Sequence, residues 1–202
     1  MRPESLRDLR RGQIIAAARR IVASDGLDAL TIAALEAALG YSRGVITYHF
    51  ANKDEIVEEV FRSVIAEIDE SVRVEVLSGE SFEDKVCAVV RANVRGFTES
   101  IEAGRVLLSF WGRLGSDPKA RALNAALYGK YRKRAARLLE DRPRGVLVDV
   151  DARALAAFLV GIVLGIATQQ LFDPGSIDVA ATTDEACRTL LARLAPKKKP
   201  KT

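Results

Sequence analysis

Residues 31–50, TIAALEAALGYSRGVITYHF, decide how the chain is read. Thr31 can cap a short helix, Ile32 to Leu39, by offering its hydroxyl oxygen to the free N–H groups of the first turn. Gly40 breaks that helix, and Ser42 can cap a still shorter one ending near His49. Two short helices joined by a tight glycine turn make a helix-turn-helix, whose second helix enters the major groove of DNA. Ala33, Leu35, Ala38 and Leu39 are expected to hold the first helix against its neighbours, while Ile46 and Phe50, four apart, seat the second. Arg43, Gly44, Thr47 and Tyr48 are left facing outward. An arginine near the start of such a helix suits a bidentate contact with guanine, and Gly44 leaves room for close approach to DNA. The same outward set also fits a plain solvated face.

Upstream, a helix from about Leu6 to Asp25 carries Ile14, Ala17, Ala18, Ile21 and Val22 on one face and stops at Gly26. Downstream, Asn52 followed by Glu55 makes a capping-box-like start for a long helix, 53–77. A helix from Phe82 to Ala103 is expected next, with Val86, Val90, Phe97 and Ile101 on its inner stripe and Gly104 as its breaker. A shorter piece with Leu107, Leu108, Trp111 and Leu114 follows, then helices from Pro118 to Leu139, from Asp151 to Phe172 and from Asp178 to Leu194. Arg142-Pro143-Arg144-Gly145 ends the first of these three. No strand pattern or internal repeat interrupts the series, so the expected class is all-α with about nine helices. The expected domains are 1–52, a three-helix domain with the helix-turn-helix, and 53–195, a larger helical domain. Residues 196–202 are expected to be a lysine-rich, disordered tail.

Composition narrows the function. The 202 residues hold one histidine and two cysteines, and Cys87 and Cys187, a hundred residues apart, match no zinc or redox spacing. No acid–base pair, activated nucleophile or metal cluster stands out, so an enzyme is disfavoured and no cofactor or metal is expected. The net charge of +4 is unevenly spread. Residues 1–24 hold six arginines against Glu4 and Asp8, whereas residues 54–116 carry 13 acidic and 7 basic side chains. A basic end on an acidic middle suggests that one end meets a polyanion, although an arginine-rich helix can also be merely solvated. The run Lys130 to Arg137 and the tail PKKKPKT read as solvated faces, with non-specific attraction to DNA as the tail's alternative. With no signal peptide and no paired-cysteine pattern, the cytoplasm is the expected location.

The stretch from the first helix through GYSRGVITYHFANKDEI resembles the tetracycline-repressor (TetR) family of bacterial regulators. Its threonine-capped helix, Gly40, serine-capped recognition helix, aromatic pair ending in Phe50, and Lys53 are all present. A tyrosine common at the position of Thr47 is absent. The resemblance implies phosphate contacts at Thr31, Tyr48 and Lys53, a backbone contact at His49, and base-facing positions at Ser42, Arg43, Gly44 and Val45. Arg7, Arg10 and Arg11 add phosphate or minor-groove contacts on this reading, and Thr47 completes the DNA-binding set. Thr31 and Lys53 also stand at helix N-termini, which favour anions in any case.

The resemblance further implies a small-molecule site in the second domain and dimerisation through the last two long helices. Phe97, Phe110, Trp111, Tyr128 and Tyr131 are candidate pocket walls, and Asn93 is a polar group on an apolar stripe that needs a partner. Charged residues are scarce along these stripes, which favours a lipophilic or neutral effector. Nineteen uncharged residues, 154–172, are long enough for a membrane span. The run lacks an aromatic belt and ends in Thr168, Gln169 and Gln170, so a buried helix is favoured and no membrane partner is expected. Its small residues Ala154, Ala157, Gly161, Gly165 and Thr168 form a stripe suited to close helix approach in a homodimer. The expected function is a ligand-responsive regulator, most plainly a repressor released from a pseudo-palindromic operator in double-stranded DNA. The alternative is a helical dimeric interaction protein that has lost specific DNA binding.

Overall fold

A computed structural model describes residues 5–141 and 151–195. Among these residues the chain forms α-helices and no strands. They are α1 (Leu6–Asp25), α2 (Ile32–Leu39), α3 (Arg43–His49), α4 (Lys53–Ser78), α5 (Phe82–Thr98), α6 (Ile101–Trp111), α7 (Pro118–Glu140), α8 (Ala152–Phe172) and α9 (Val179–Leu194). The expected tail, 196–202, and the expected helix stop at 142–145 lie outside the described residues.

Two compact units divide the chain. The first runs to Glu67 and also takes in Ser100–Arg121; the second holds Ile68–Glu99 and everything from Ala122 onward. In the first unit α1 packs on α2, α3 and α6. Ile14, Leu30, Leu35 and Ile46 are completely buried there, and Phe50 nearly so. Each such side chain contributes about 1.5–3 kcal/mol by leaving water, which is how helices of seven and eight residues persist at all. Phe61 of α4 and Phe110 of α6 stack nearly parallel, with ring centroids 3.8 Å apart. Charged contacts close the rim: Arg19 of α1 reaches Glu67 and Glu102, both at 2.5 Å.

In the second unit α5 packs against α8 and α9, which also touch each other. Gly96 of α5 sits so close to Ile68 that an added Cβ would come within 2.9 Å of its side chain. Cys87 and Cys187 meet in this core. Both are free and buried, with the Cys187 sulfur 4.0 Å from the Cys87 carbonyl oxygen. Burial, and then the adjacent Cys87 thiol, push the Cys187 thiol up to about 12. Sequence spacing could not show this meeting, because a hundred residues of helix path separate the two.

Several helix ends differ from the sequence expectation. The break after α5 falls at Glu99–Ser100, not at Gly104, which is buried inside α6. Ser100 starts the new helix by accepting the Ala103 N–H at 3.1 Å, so a capping serine outranks the glycine as punctuation. Ile101 therefore leaves the α5 stripe and is exposed. Ala33 and Ala38 are exposed rather than packed, and Leu35 alone of the four expected positions is fully buried on α2. Ser42 occupies the N-cap of α3 but its side chain makes no capping hydrogen bond. Before α4, Asn52 accepts the Glu55 N–H at 2.9 Å, while the Glu55 carboxylate accepts the N–H of Ala51 at 2.8 Å, one residue earlier than a standard box.

Candidate nucleic-acid interface

The helix-turn-helix is built from local chemistry. The Thr31 hydroxyl oxygen accepts the Ala34 N–H at 3.0 Å and opens α2. Gly40 closes it with φ +67°, in the left-handed region that a side chain disfavours, and its N–H donates to the Glu36 carbonyl at 2.9 Å. Three residues later α3 begins, held down by Ile46 and by Phe50 just past its end. The turn is pinned from outside α2 and α3 by the Tyr41 hydroxyl, which donates to the Gln13 amide oxygen on α1.

This seating exposes Ser42, Arg43, Gly44, Thr47 and Tyr48 together, with Val45 half-buried beside them. Tyr48 is 69% exposed, and the Arg7 guanidinium lies 5.7 Å from its ring centroid. The Thr47 hydroxyl donates to the Arg43 carbonyl at 2.9 Å, so its donor is spent inside the helix. A Cβ at Gly44 would meet nothing nearer than 3.9 Å. Thr31 stands exposed at the start of α2, and Lys53 stands half-buried at the start of α4.

His49 faces the other way. Its side chain is buried and its Nδ1 has no hydrogen-bond partner. Burial chiefly, then the charges of Arg7, Arg10 and Arg11, hold its pKa below the ordinary imidazole value, so it sits neutral against the core. Its ring packs edge-on to Tyr48 at 5.1 Å.

The expected effector residues are distributed over both units. Phe110 and Trp111 belong to the first, and Asn93, Phe97, Tyr128 and Tyr131 to the second. Phe110 forms part of an open cleft of about 500 Å3 whose other walls include Asp54, Glu58, Arg113, Asp117 and Lys119. There Arg113 bridges Asp54 at 3.1 Å and Asp117 at 2.6 Å. Asn93 donates from its amide to the Val89 carbonyl at 2.7 Å, answering its need for a partner within its own helix.

On α7 the Tyr128 and Tyr131 rings meet edge to face at 6.0 Å. The Asn124 amide oxygen is enclosed with no hydrogen-bond partner, and the Tyr131 hydroxyl is enclosed beside the Asp69 carboxylate. Burial first, and then the Asp69 carboxylate, raise the Tyr131 phenol above its usual value. Asp69 itself pairs with Lys130 at 2.9 Å and Arg134 at 3.2 Å. Sequence reasoning missed Asn124 and Asp69. The spacing 124, 128, 131 sets the first on the tyrosine face of α7 and was the available signal.

The expected dimer stripe lies on α8. Leu155, Ala156, Leu159, Val163, Ile166 and Ala167 are the buried face of that helix. Ala157 and Gly161 are exposed, Gly165 and Thr168 half-buried, and Phe158 and Phe172 stand open at 53% and 71%. A Cβ at Gly161 or Gly165 would meet nothing within 4 Å. By length and composition α8 could cross a membrane, the one such helix among the described residues.

Comparison with known proteins gives these features a family. Residues 14–60 match the model for bacterial regulatory proteins of the tetR family, and residues 82–196 match the C-terminal domain of BetI-type transcriptional repressors. The regulator BetI of Burkholderia cenocepacia is 25% identical over 177 residues, 87% of this chain and 89% of that protein. BetI of Vibrio atlanticus is 25% identical over 118 residues, and that match spans 57% of this chain and 59% of the relative's length. A transcriptional regulator from Saccharomonospora viridis, solved in complex with choline, shares the fold with a TM-score of 0.78 at 22% identity, covering 93% of this chain and 98% of that one. A helix-turn-helix seated on α1, followed by a larger helical domain of the BetI type, means that the chain belongs to the TetR family of transcriptional regulators.

Proposed function

We propose that this protein is a dimeric, ligand-responsive repressor that binds a pseudo-palindromic operator and is released from it by a small molecule. One observation carries the reading: α3 buries Ile46 and is anchored by Phe50 while turning Arg43, Gly44, Thr47 and Tyr48 outward together. Arg43 reads a guanine, Ser42, Gly44 and Val45 lie against the bases, and Thr31, Tyr48 and Lys53 hold phosphates. On this reading residues 1–52 act as the DNA-binding domain and 53–195 as the effector and dimerisation domain. The protein acts in the cytoplasm by binding and not by catalysis.

The dimer forms through α8 and α9. Exposed Ala157, Gly161 and Phe158 support a second copy as the cover, since small residues permit close helix approach and the opposite face of α8 is already packed on protein. A two-fold pair of α3 helices then meets half-sites about one turn, ~34 Å, apart. The effector binds in the second unit, where Tyr131 and Asn124 offer enclosed polar atoms that a hydrogen-bonding, otherwise neutral or lipophilic molecule would satisfy. A second reading, an alkylammonium such as choline, draws on the Tyr128–Tyr131 pair and the Asp69 carboxylate, and on the choline bound by the Saccharomonospora viridis regulator. Lys130 and Arg134 already balance Asp69, which favours the neutral effector. Helix α4 is continuous from Lys53 to Ser78 and carries the response. Because coupling is reciprocal, DNA weakens effector binding by the factor that effector weakens DNA.

Selection from random duplexes, followed by titration at two salt concentrations, tests the reading. A palindromic site bound steeply with salt, and weakened by Arg43→Ala or Tyr48→Ala, is expected. A folded dimer that enriches no sequence would instead make this a helical interaction protein. Titrating the complex with choline and with neutral small molecules then separates the two effector readings.

A further inference from the structure

Arg11 lies in the arginine-rich stretch that sequence reading assigns to DNA phosphates, yet its surroundings give it other work. Its Nη1 donates to the His49 carbonyl oxygen at 2.9 Å, at the last turn of α3, where helix carbonyls lack partners of their own. Its guanidinium carbon sits 4.2 Å from the centroid of the Phe50 ring. Glu55 and Glu59 on α4 approach at 3.6 and 3.4 Å. Two carboxylates thus balance its single charge, its planar face is covered by an aromatic ring, and a donor is committed to the main chain. A phosphate would find the Arg11 guanidinium already engaged along its edge and over its face. The sequence position agrees: Arg11 stands three before Ile14 and seven before Ala18, both buried, so it shares their inward face.

We propose that Arg11 is a positioning residue for the recognition helix, a clamp that fixes the C-terminal end of α3 to α1 and α4, and that it makes no phosphate contact. The inference rests on the DNA-binding reading for its functional consequence but not for its structural one. A loosened α3 presents Arg43 and Tyr48 in several orientations, so discrimination suffers while attraction to the backbone remains. Lysine cannot replace the clamp, because a point charge cannot bond a carbonyl, face two carboxylates and lie flat on a ring at once.

The test compares Arg11→Met, Arg11→Lys and Glu59→Gln with the unchanged protein on the selected operator and on a random duplex, across a salt series. A clamp predicts that all three lower the ratio of operator to random affinity, by about tenfold for Arg11→Met, the scale of a single bidentate base interaction. It also predicts that the salt slope of Arg11→Met stays that of the unchanged protein. A phosphate-binding role predicts that the slope falls by about 0.9 for each phosphate no longer neutralised. It also predicts that Arg11→Lys keeps its affinity and that Glu59→Gln binds operator more tightly. Any of those three results overturns the proposal.

Hydrogen exchange on the free protein decides the structural half without DNA. Faster exchange of amides at 47–50 in Arg11→Met and Arg11→Lys, with α2 unchanged, is the expected result. Unaltered exchange there overturns the clamp, and absence of any operator for the unchanged protein counts against the regulator alone.

Discussion

Helices α3 and α8 each bury one face and leave the other open, but the open faces are opposites. Helix α3 is seven residues long and shows Arg43, Gly44, Thr47 and Tyr48 to solvent. Helix α8 is 21 residues long and shows Ala157, Phe158, Gly161 and Phe172. A polar face is stable in water and reads a polar partner by hydrogen bonds. An apolar face gains by being covered, at about 25 cal/mol for each Å2 removed from water. The contrast is one of chemistry: a single chain leaves uncovered one polar stripe on α3 and one largely apolar stripe on α8.

The largest effect should come from breaking the apolar stripe. Gly161 is exposed and a Cβ there meets nothing within 4 Å, so Gly161→Trp should leave helix content and folding as they are while pushing a second copy away. Sedimentation should change from dimer to monomer. Operator affinity should fall about a hundredfold or more, as expected when two linked half-sites become one. A dimer that survives Gly161→Trp would move the interface off α8.

Next comes the polar stripe. Arg43→Ala should cost about 1–3 kcal/mol of operator binding and relax the preference at a single base position, with folding unchanged. An equal reduction on every sequence would make Arg43 a phosphate ligand and leave base reading to its neighbours.

The two caps bracketing the turn differ in what their side chains bond. Thr31 caps α2 through its hydroxyl, and Ser42 stands at the same kind of position without such a bond. Thr31→Ala should therefore lower stability by about 1 kcal/mol in urea unfolding. Ser42→Ala should leave stability nearly unchanged, so that any deficit it causes shows in operator binding alone.

The smallest effect is a pH dependence. His49 has its pKa held below the ordinary 6.5 by burial, so between that lower value and 6.5 the unfolded chain binds the extra proton. Stability contributed by neutral His49 is complete above 6.5 and is lost as pH falls through this window. The urea midpoint should decline on acidification, and His49→Gln should flatten that part of the decline.

Much of this is legible in the sequence, for reasons that vary by place. The α2–turn–α3 unit can be read because its signals are local: a threonine cap, a glycine at positive φ, and apolar residues four apart act within one or two turns. The α5–α6 break is misplaced because two local signals compete, and Ser100 as a cap prevails over Gly104 as a breaker. Arg11 and Asn124 escape for another reason. Charge and polarity invite an outward assignment, whereas periodicity sets both on inward faces.

The helices of the described residues, the position of the helix-turn-helix and the residues on its outward face could all be read from the amino-acid order, since each follows from the 3.6-residue period and from capping chemistry. That Cys87 meets Cys187, that α6 joins the unit of α1–α3, and that Arg11 grips the end of α3 come from tertiary packing alone. These meetings join residues far apart in the chain, made when packing of apolar faces brings helices together, and no pattern within a single helix encodes them.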